Sequence, residues 1–173
     1  IPTEISDDVR DQFDTRFAEL RIEADVRASL DPDREDAVVP GLLSAALTAW
    51  IIERGVADET FNQDGPPSAK PALHGRLRRT LNEGTEDQAH WSFRAISAGH
   101  HGVAALHRIK RAITAAGVEY QVPKRKLYFL RNGAWSGAKT LGLIRELQSR
   151  NTATLPFGEA DLRTLSALRV MLE

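Results

Sequence analysis

Nine side chains between residues 108 and 139 have the chemistry to hold a polyanion. Arg108, Lys110, Arg111, Lys124, Arg125, Lys126, Arg131 and Lys139 supply positive charge, and Tyr128 supplies a ring among them. Lysine and arginine neutralise phosphates and release condensed counterions, and arginine can also fork onto a guanine edge. The run Lys126-Leu127-Tyr128-Phe129-Leu130-Arg131 interleaves aromatic and basic residues. In an extended chain successive side chains point to opposite faces, so Tyr128 and Phe129 cannot both join one exposed platform. With Tyr128 outward it shares a face with Lys126 and Leu130 and offers a stacking surface for a base, while Phe129 goes to the core.

These residues sit in a chain whose charge is divided. The formal net charge is only -1, yet residues 101–150 hold ten Lys/Arg against two Asp/Glu, whereas residues 1–60 hold 15 Asp/Glu against six Lys/Arg. A basic segment gathered on one face attracts phosphate, and an acidic one repels it. The halves can equally attract each other.

Other chemistries are weaker. Gly133 to Thr140 (GAWSGAKT) approaches the phosphate-loop pattern G-x-x-x-x-G-K-[ST], but Ala138 stands at its penultimate glycine, and no strand ending in an acidic magnesium ligand follows. Lys139 and the amino end of the helix that opens there could still hold a phosphate. His90, His100, His101 and His107 cluster, but a separation of six between His101 and His107 is not same-face helical spacing, and no carboxylate completes a ligand set. No metal site and no cofactor are expected. Scattered carboxylates and serines show neither a catalytic pair nor a nucleophile elbow, so no enzyme is expected.

Composition fits a folded chain: 173 residues, 42% hydrophobic and 27% charged, exceed what disorder tolerates. The absence of cysteine excludes disulfides and thiolate metal sites and fits a reducing, cytoplasmic setting. The apolar run Val38–Ile52 is broken by Pro40, Gly41, Ser44 and Thr48, so no membrane span is expected. A start at Ile1 instead of Met reads as a processed product or a piece of something larger.

The elements that position the basic residues follow from periodicity. Val9, Phe13, Phe17, Leu20, Ala24 and Arg27 predict an amphipathic helix from Ser6 to about Leu30, with Asp7, Asp8 and Asp11 at its positive end. Its stripe could dock a protein partner or a second copy through residues 6–30. A buried central helix is expected from Pro40 to Arg54, stopped by Gly55. Residues 56–71, rich in Pro and Gly, read as a loop between lobes. A basic helix Ala72–Leu81 and a helix Glu86–Ser97 capped by Thr85 follow, then a helix to Gly117 and a hairpin over residues 118–131 with Pro123-Lys124-Arg125 at its tip. Helices at 136–150 and 159–172 complete the chain.

Helix, glycine turn, helix and hairpin over residues 86–131 resemble a winged helix-turn-helix DNA-binding module. Trp91, Phe93 and Ile96 occupy the supporting helix, Gly99 the turn, Val103–Ala116 the reading helix and Lys124-Arg125-Lys126 the wing. The resemblance implies that Arg108, Lys110 and Arg111 face DNA, which is favoured over RNA. The expectation is a mainly α protein: a helical bundle with one small β-hairpin, an acidic helical lobe at 1–55, a loop at 56–71, and a basic, winged-helix-like lobe at 72–173. The expected role is non-catalytic nucleic-acid binding, alone or within a larger machine. The alternatives are a protein-interaction or assembly module and, third, a nucleotide-dependent enzyme fragment with a degenerate phosphate loop.

Overall fold

Alternation in segments such as Trp91, Phe93 and Ala95 against Ser92 and Arg94 suits extended chain, and a five-stranded sheet results. The computed structural model of the protein describes residues 4–54, 60–120, 122–148 and 151–173. In chain order they form α1 (Asp7–Glu23), α2 (Arg27–Leu30), α3 (Glu35–Arg54), β1 (Phe61–Asp64), β2 (Gly75–Asn82), β3 (Asp87–Ala95), α4 (Gly102–Ala116), β4 (Arg125–Arg131), α5 (Ala138–Gln148), β5 (Thr152–Pro156) and α6 (Glu159–Leu172). The strands lie in the order β1-β2-β3-β4-β5. β1, β2 and β3 pair antiparallel, while β3, β4 and β5 run parallel, joined through α4 and α5. Such parallel pairs need a crossover of helical length between them.

The expected helical bundle with a single hairpin is therefore incorrect: this is an α/β fold on a mixed sheet. The predicted helices Ala72–Leu81 and Glu86–Ser97 are the strands β2 and β3, and part of the predicted loop 56–71 is β1. The hairpin over 118–131 does not form, because residues 118–120 and 122–124 are irregular and β4 pairs in parallel with β3. The helices over α3, α4, α5 and α6 are recovered with shifted ends. Gly55 as a helix stop and the end of the 136–150 helix lie outside the described residues.

Two helical layers sandwich the sheet. Leu127 and Phe129 of β4 face α4 and α5, where Ile109, Ala112, Ile144 and Leu147 close one core. On the other side Ala95 and Leu130 meet Val39, Leu42 and Leu43 of α3 and Leu162 of α6. Leu47, Phe61 and Leu77 form a smaller cluster under the carboxyl half of α3. Helix α3 is long and apolar enough to cross a membrane by length and composition, but its apolar face here is a wall of these cores. Helix α1 is nearly all exposed, burying only Leu20.

Candidate functional site

Parallel strands give the sheet two chemically different ends. At the carboxyl ends of β3 and β4, called here the upper edge, α3 begins with Glu35 and Asp36, β2 is entered through His74, and β3 contributes Arg94. Glu35, His74 and Arg94 are fully or almost fully buried. Arg94 donates to Asp36 Oδ1 at 2.7 Å and to the Pro71 carbonyl at 2.9 Å, with Glu35 3.8 Å from its other terminal nitrogen. Glu35 accepts the Ser97 backbone N–H at 2.7 Å and contacts His100 Nε2 at 2.5 Å.

Backbone geometry fixes the protonation of His74. The Ala95 N–H donates to its Nδ1 at 3.1 Å, so that nitrogen must be bare, and Nε2–H then donates to Asp36 at 2.7 Å. Arg94 also lies 2.6 Å from Nε2, a contact between two donors that share the Asp36 oxygen. Burial first, reinforced by Arg94 and Arg108 and opposed by Asp36, pushes His74 down to about 4. Burial pushes Asp36 up, but His74 and Arg94 overrule it and hold the carboxyl at about 2. For Glu35 burial prevails and raises the carboxyl despite His100, Ser97 and Arg94. Open α/β sheets commonly take ligands beyond the carboxyl ends of their strands. Here that place is filled by the chain's own charges, Arg94, Arg108 and Arg131 around Glu35 and Asp36.

Two predicted site residues belong to this closed edge. Arg131 is buried, donates to the Ile96, Ser97 and Ala134 carbonyls, and stacks its guanidinium 4.3 Å from the Trp135 ring centre. Arg108 is half-buried, donates to the Ala104 carbonyl and lies 3.9 Å from Glu35. Neither is placed to grip an external phosphate. Lys139 is exposed at the start of α5, whereas Thr140 of the phosphate-loop pattern is buried.

The lower edge, at the amino ends of β3 and β4, is the converse. Lys124 precedes β4 there and Arg125 and Lys126 open it, and Arg76 and Arg78 of β2 with His90 of β3 lie on the α4 face beside Arg125. The cations crowd one another. Burial lowers the His90 pKa, and Arg125, Arg76 and Arg78 lower it further. Burial also lowers that of Arg76; Asp64 opposes, while Arg125 and Arg78 add to the shift. Arg78 pairs with Asp64 at 2.7 Å and Lys124 with Asp87 at 2.5 Å. Among the described residues Arg125 and Lys126 form no ion pair. Lys110 and Arg111 continue the positive surface along exposed α4, Arg111 donating to the Lys70 carbonyl. Gly117 makes the approach possible: its φ of 69° ends α4 left-handed, and the Arg125 side chain passes 3.0 Å from where a Cβ would stand.

Across the sheet lies an open aromatic cleft of about 440 Å³. Tyr128 stacks on Phe93 at 5.6 Å between ring centres, Trp91 approaches Phe61 at 6.2 Å, and Trp50 of α3 meets Phe61 edge-on at 4.9 Å. Alternation thus sends Phe129 to the α4 core and Tyr128 to the opposite face, with Lys126 on the same side.

Sequence reasoning missed Arg76, Arg78 and His90 at the lower edge, the whole Glu35–His74–Arg94–His100 cluster, and Trp50 and Trp91 in the cleft. The alternation of Trp91, Phe93 and Ala95 with His90, Ser92 and Arg94 was the available signal for β3. Among the described residues no group of three or more His, Cys, Asp or Glu side chains is arranged to hold a metal ion, and nothing identifies a winged helix. Compared with protein-family models, with curated proteins and with solved structures, the chain matches none.

Proposed function

We propose that the protein binds nucleic acid without transforming it, through the lower edge of its sheet. The observation that carries this reading is the surplus of positive charge there: Arg76, Arg78, Arg125, Lys124 and Lys126 converge, and among the described residues Asp64, Asp87 and Glu86 are the three carboxylates beside these five cations. Cations held close with too few acids to neutralise them all are costly to keep together, and a phosphate backbone relieves that cost by replacing their counterions. Of the residues singled out from sequence, Lys110, Arg111, Lys124, Arg125, Lys126 and Tyr128 serve this reading. Arg108 and Arg131 do not. A cytoplasmic location goes with it, on the strength of the cysteine-free composition.

The test is a titration with duplex DNA, single-stranded DNA and RNA at two salt concentrations. Wild-type protein binds with a steep salt dependence, and Lys124→Glu, Arg125→Glu, Lys126→Glu combined weakens binding and flattens the slope. Absence of salt-sensitive binding to all three polymers sinks the reading.

A second reading is favoured by one feature, the exposed apolar stripe on acidic α1, where Val9 is 54% and Phe13 48% exposed beside Asp8, Asp11 and Asp14. It makes the protein an assembly module whose acidic helix meets a basic face of another copy. Light scattering at low and high salt decides this: dimers at low salt that dissolve at high salt support it, and monomers throughout exclude it.

A further inference from the structure

We infer that the aromatic cleft on the α3 side of the sheet holds an unpaired base of a single-stranded nucleic acid. This rests on the nucleic-acid reading above and names its substrate class. Four aromatic side chains from three strands, Phe61, Trp91, Phe93 and Tyr128, floor or wall the cleft, and Trp50 at its rim is 37% exposed. Phe61 is buried and Trp91, Phe93 and Tyr128 are half-buried, so their open edges and the exposed Trp50 ring form the cleft surface, and planar partners are what rings of this kind recognise.

The charge around the cleft selects the partner. The Arg54 guanidinium lies 5.2 Å from the Trp50 ring centre, and Lys126 stands on the same face opposite Trp91 in the strand register. No carboxylate lines the cleft among the described residues. A ligand that is flat and apolar on its face but anionic at its margin fits this combination, and a nucleotide has that form. A base inside a duplex does not present its face, so the occupant is an unpaired one, stacked on the rings while its flanking phosphates reach Lys126 and the lower edge. The cleft's volume suits one base with its sugar and no more than a short segment of strand.

Tryptophan emission reads the test directly, because Trp50 and Trp91 line the cleft while Trp135 packs on the other face against Phe129. The probes are a short thymidine oligonucleotide, a duplex of equal length and thymidine monophosphate. The oligonucleotide quenches emission and binds at least tenfold tighter than the duplex, and the monophosphate gives no comparable quenching at equal concentration. Trp50→Ala and Tyr128→Ala each weaken oligonucleotide binding by about tenfold, within the range for losing one stacked base. Their salt slopes stay unchanged, and Tyr128→Phe, which keeps the ring, binds as wild type. Equal affinity for duplex and single strand, or wild-type affinity in both alanine variants, overturns the cleft assignment and leaves the lower-edge reading standing. Quenching by the monophosphate as strong as by the oligonucleotide overturns it in favour of a small-nucleotide site. Failure to bind any polymer overturns both readings. The wild-type comparison of single strand with duplex does not depend on how well any variant folds.

Discussion

At the upper edge of the sheet Arg94 and Arg131 point their terminal nitrogens at carboxylates and carbonyls of the chain itself, out of reach of water. At the lower edge Arg125 is half-buried and Lys126 exposed, beside other cations. Arg125 and Arg131, at the two ends of β4, thus do opposite things. What separates them is the carboxylates available nearby. Helix α3 delivers Glu35 and Asp36 to the upper edge in consecutive positions, where they are buried against Arg94, whereas Asp64, Glu86 and Asp87 stand beside the more numerous cations of the lower edge among the described residues. A charge with a buried partner is structural; a surplus charge is available to a ligand.

Removing a cation from the closed edge should have the largest effect. Arg94→Met leaves the Pro71 carbonyl without its donor and takes the cation away from Asp36 and Glu35, and breaking a buried pair from one side costs about 3–5 kcal/mol. Urea denaturation measures this as a lower midpoint. A loss below about 1 kcal/mol would show that water reaches the cluster and that the two edges differ less than their burial implies.

Acid should loosen the same edge through His74. Below pH 6.5 the unfolded chain protonates this histidine while the native one, held at about 4, does not. The unfolded state then binds more protons, so stability falls as pH drops from 6.5 to about 4, by roughly 3 kcal/mol for this group alone. Asp36, ionised down to about 2 when folded, removes further stability as pH passes below 3.8. Glu35 acts the other way, since its raised pKa makes the folded state the tighter proton binder. The fall from pH 6.5 to 4 is therefore steeper in Glu35→Gln than in wild type. Parallel pH profiles in the two proteins would remove Glu35 from the balance.

The legibility of this contrast in sequence was uneven for physical reasons. Helices α3, α4 and α6 announce themselves because each carries an apolar stripe at helical spacing, and Gly117 marks the end of α4. Strand β3 hides because its polar face is buried: Ser92 and Arg94 look like a solvated face until α3 and α4 close over them. In β2, Arg and Leu are good helix formers, and tertiary pairing with β1 and β3 overrides that preference. The cationic segment 124–126 and the facing of Tyr128 were readable because they depend on local order alone. Which arginines would be neutralised was not, since Glu35 lies 59 positions from Arg94 and 96 from Arg131.

Gly117→Ala tests how the surplus is held. The left-handed φ costs an alanine about 1–2 kcal/mol, and its methyl group meets the Arg125 side chain. Thermal unfolding should register that loss, together with weaker oligonucleotide binding as Arg125 is displaced. Unchanged binding would mean that Arg125 is not part of the contact.

The smallest effect on stability should come from Lys126→Glu, and it is the one that separates the edges most sharply. Lys126 is exposed and has no ion pair among the described residues, so reversing its charge changes the urea midpoint by less than about 0.5 kcal/mol. The same change removes one phosphate contact and lowers the slope of log affinity against log salt by about 1. Arg94 and Lys126 then behave as mirror images, one setting stability and the other setting only binding. A destabilisation above about 1 kcal/mol in Lys126→Glu would instead give Lys126 an internal partner, and the lower edge would be a second closed one.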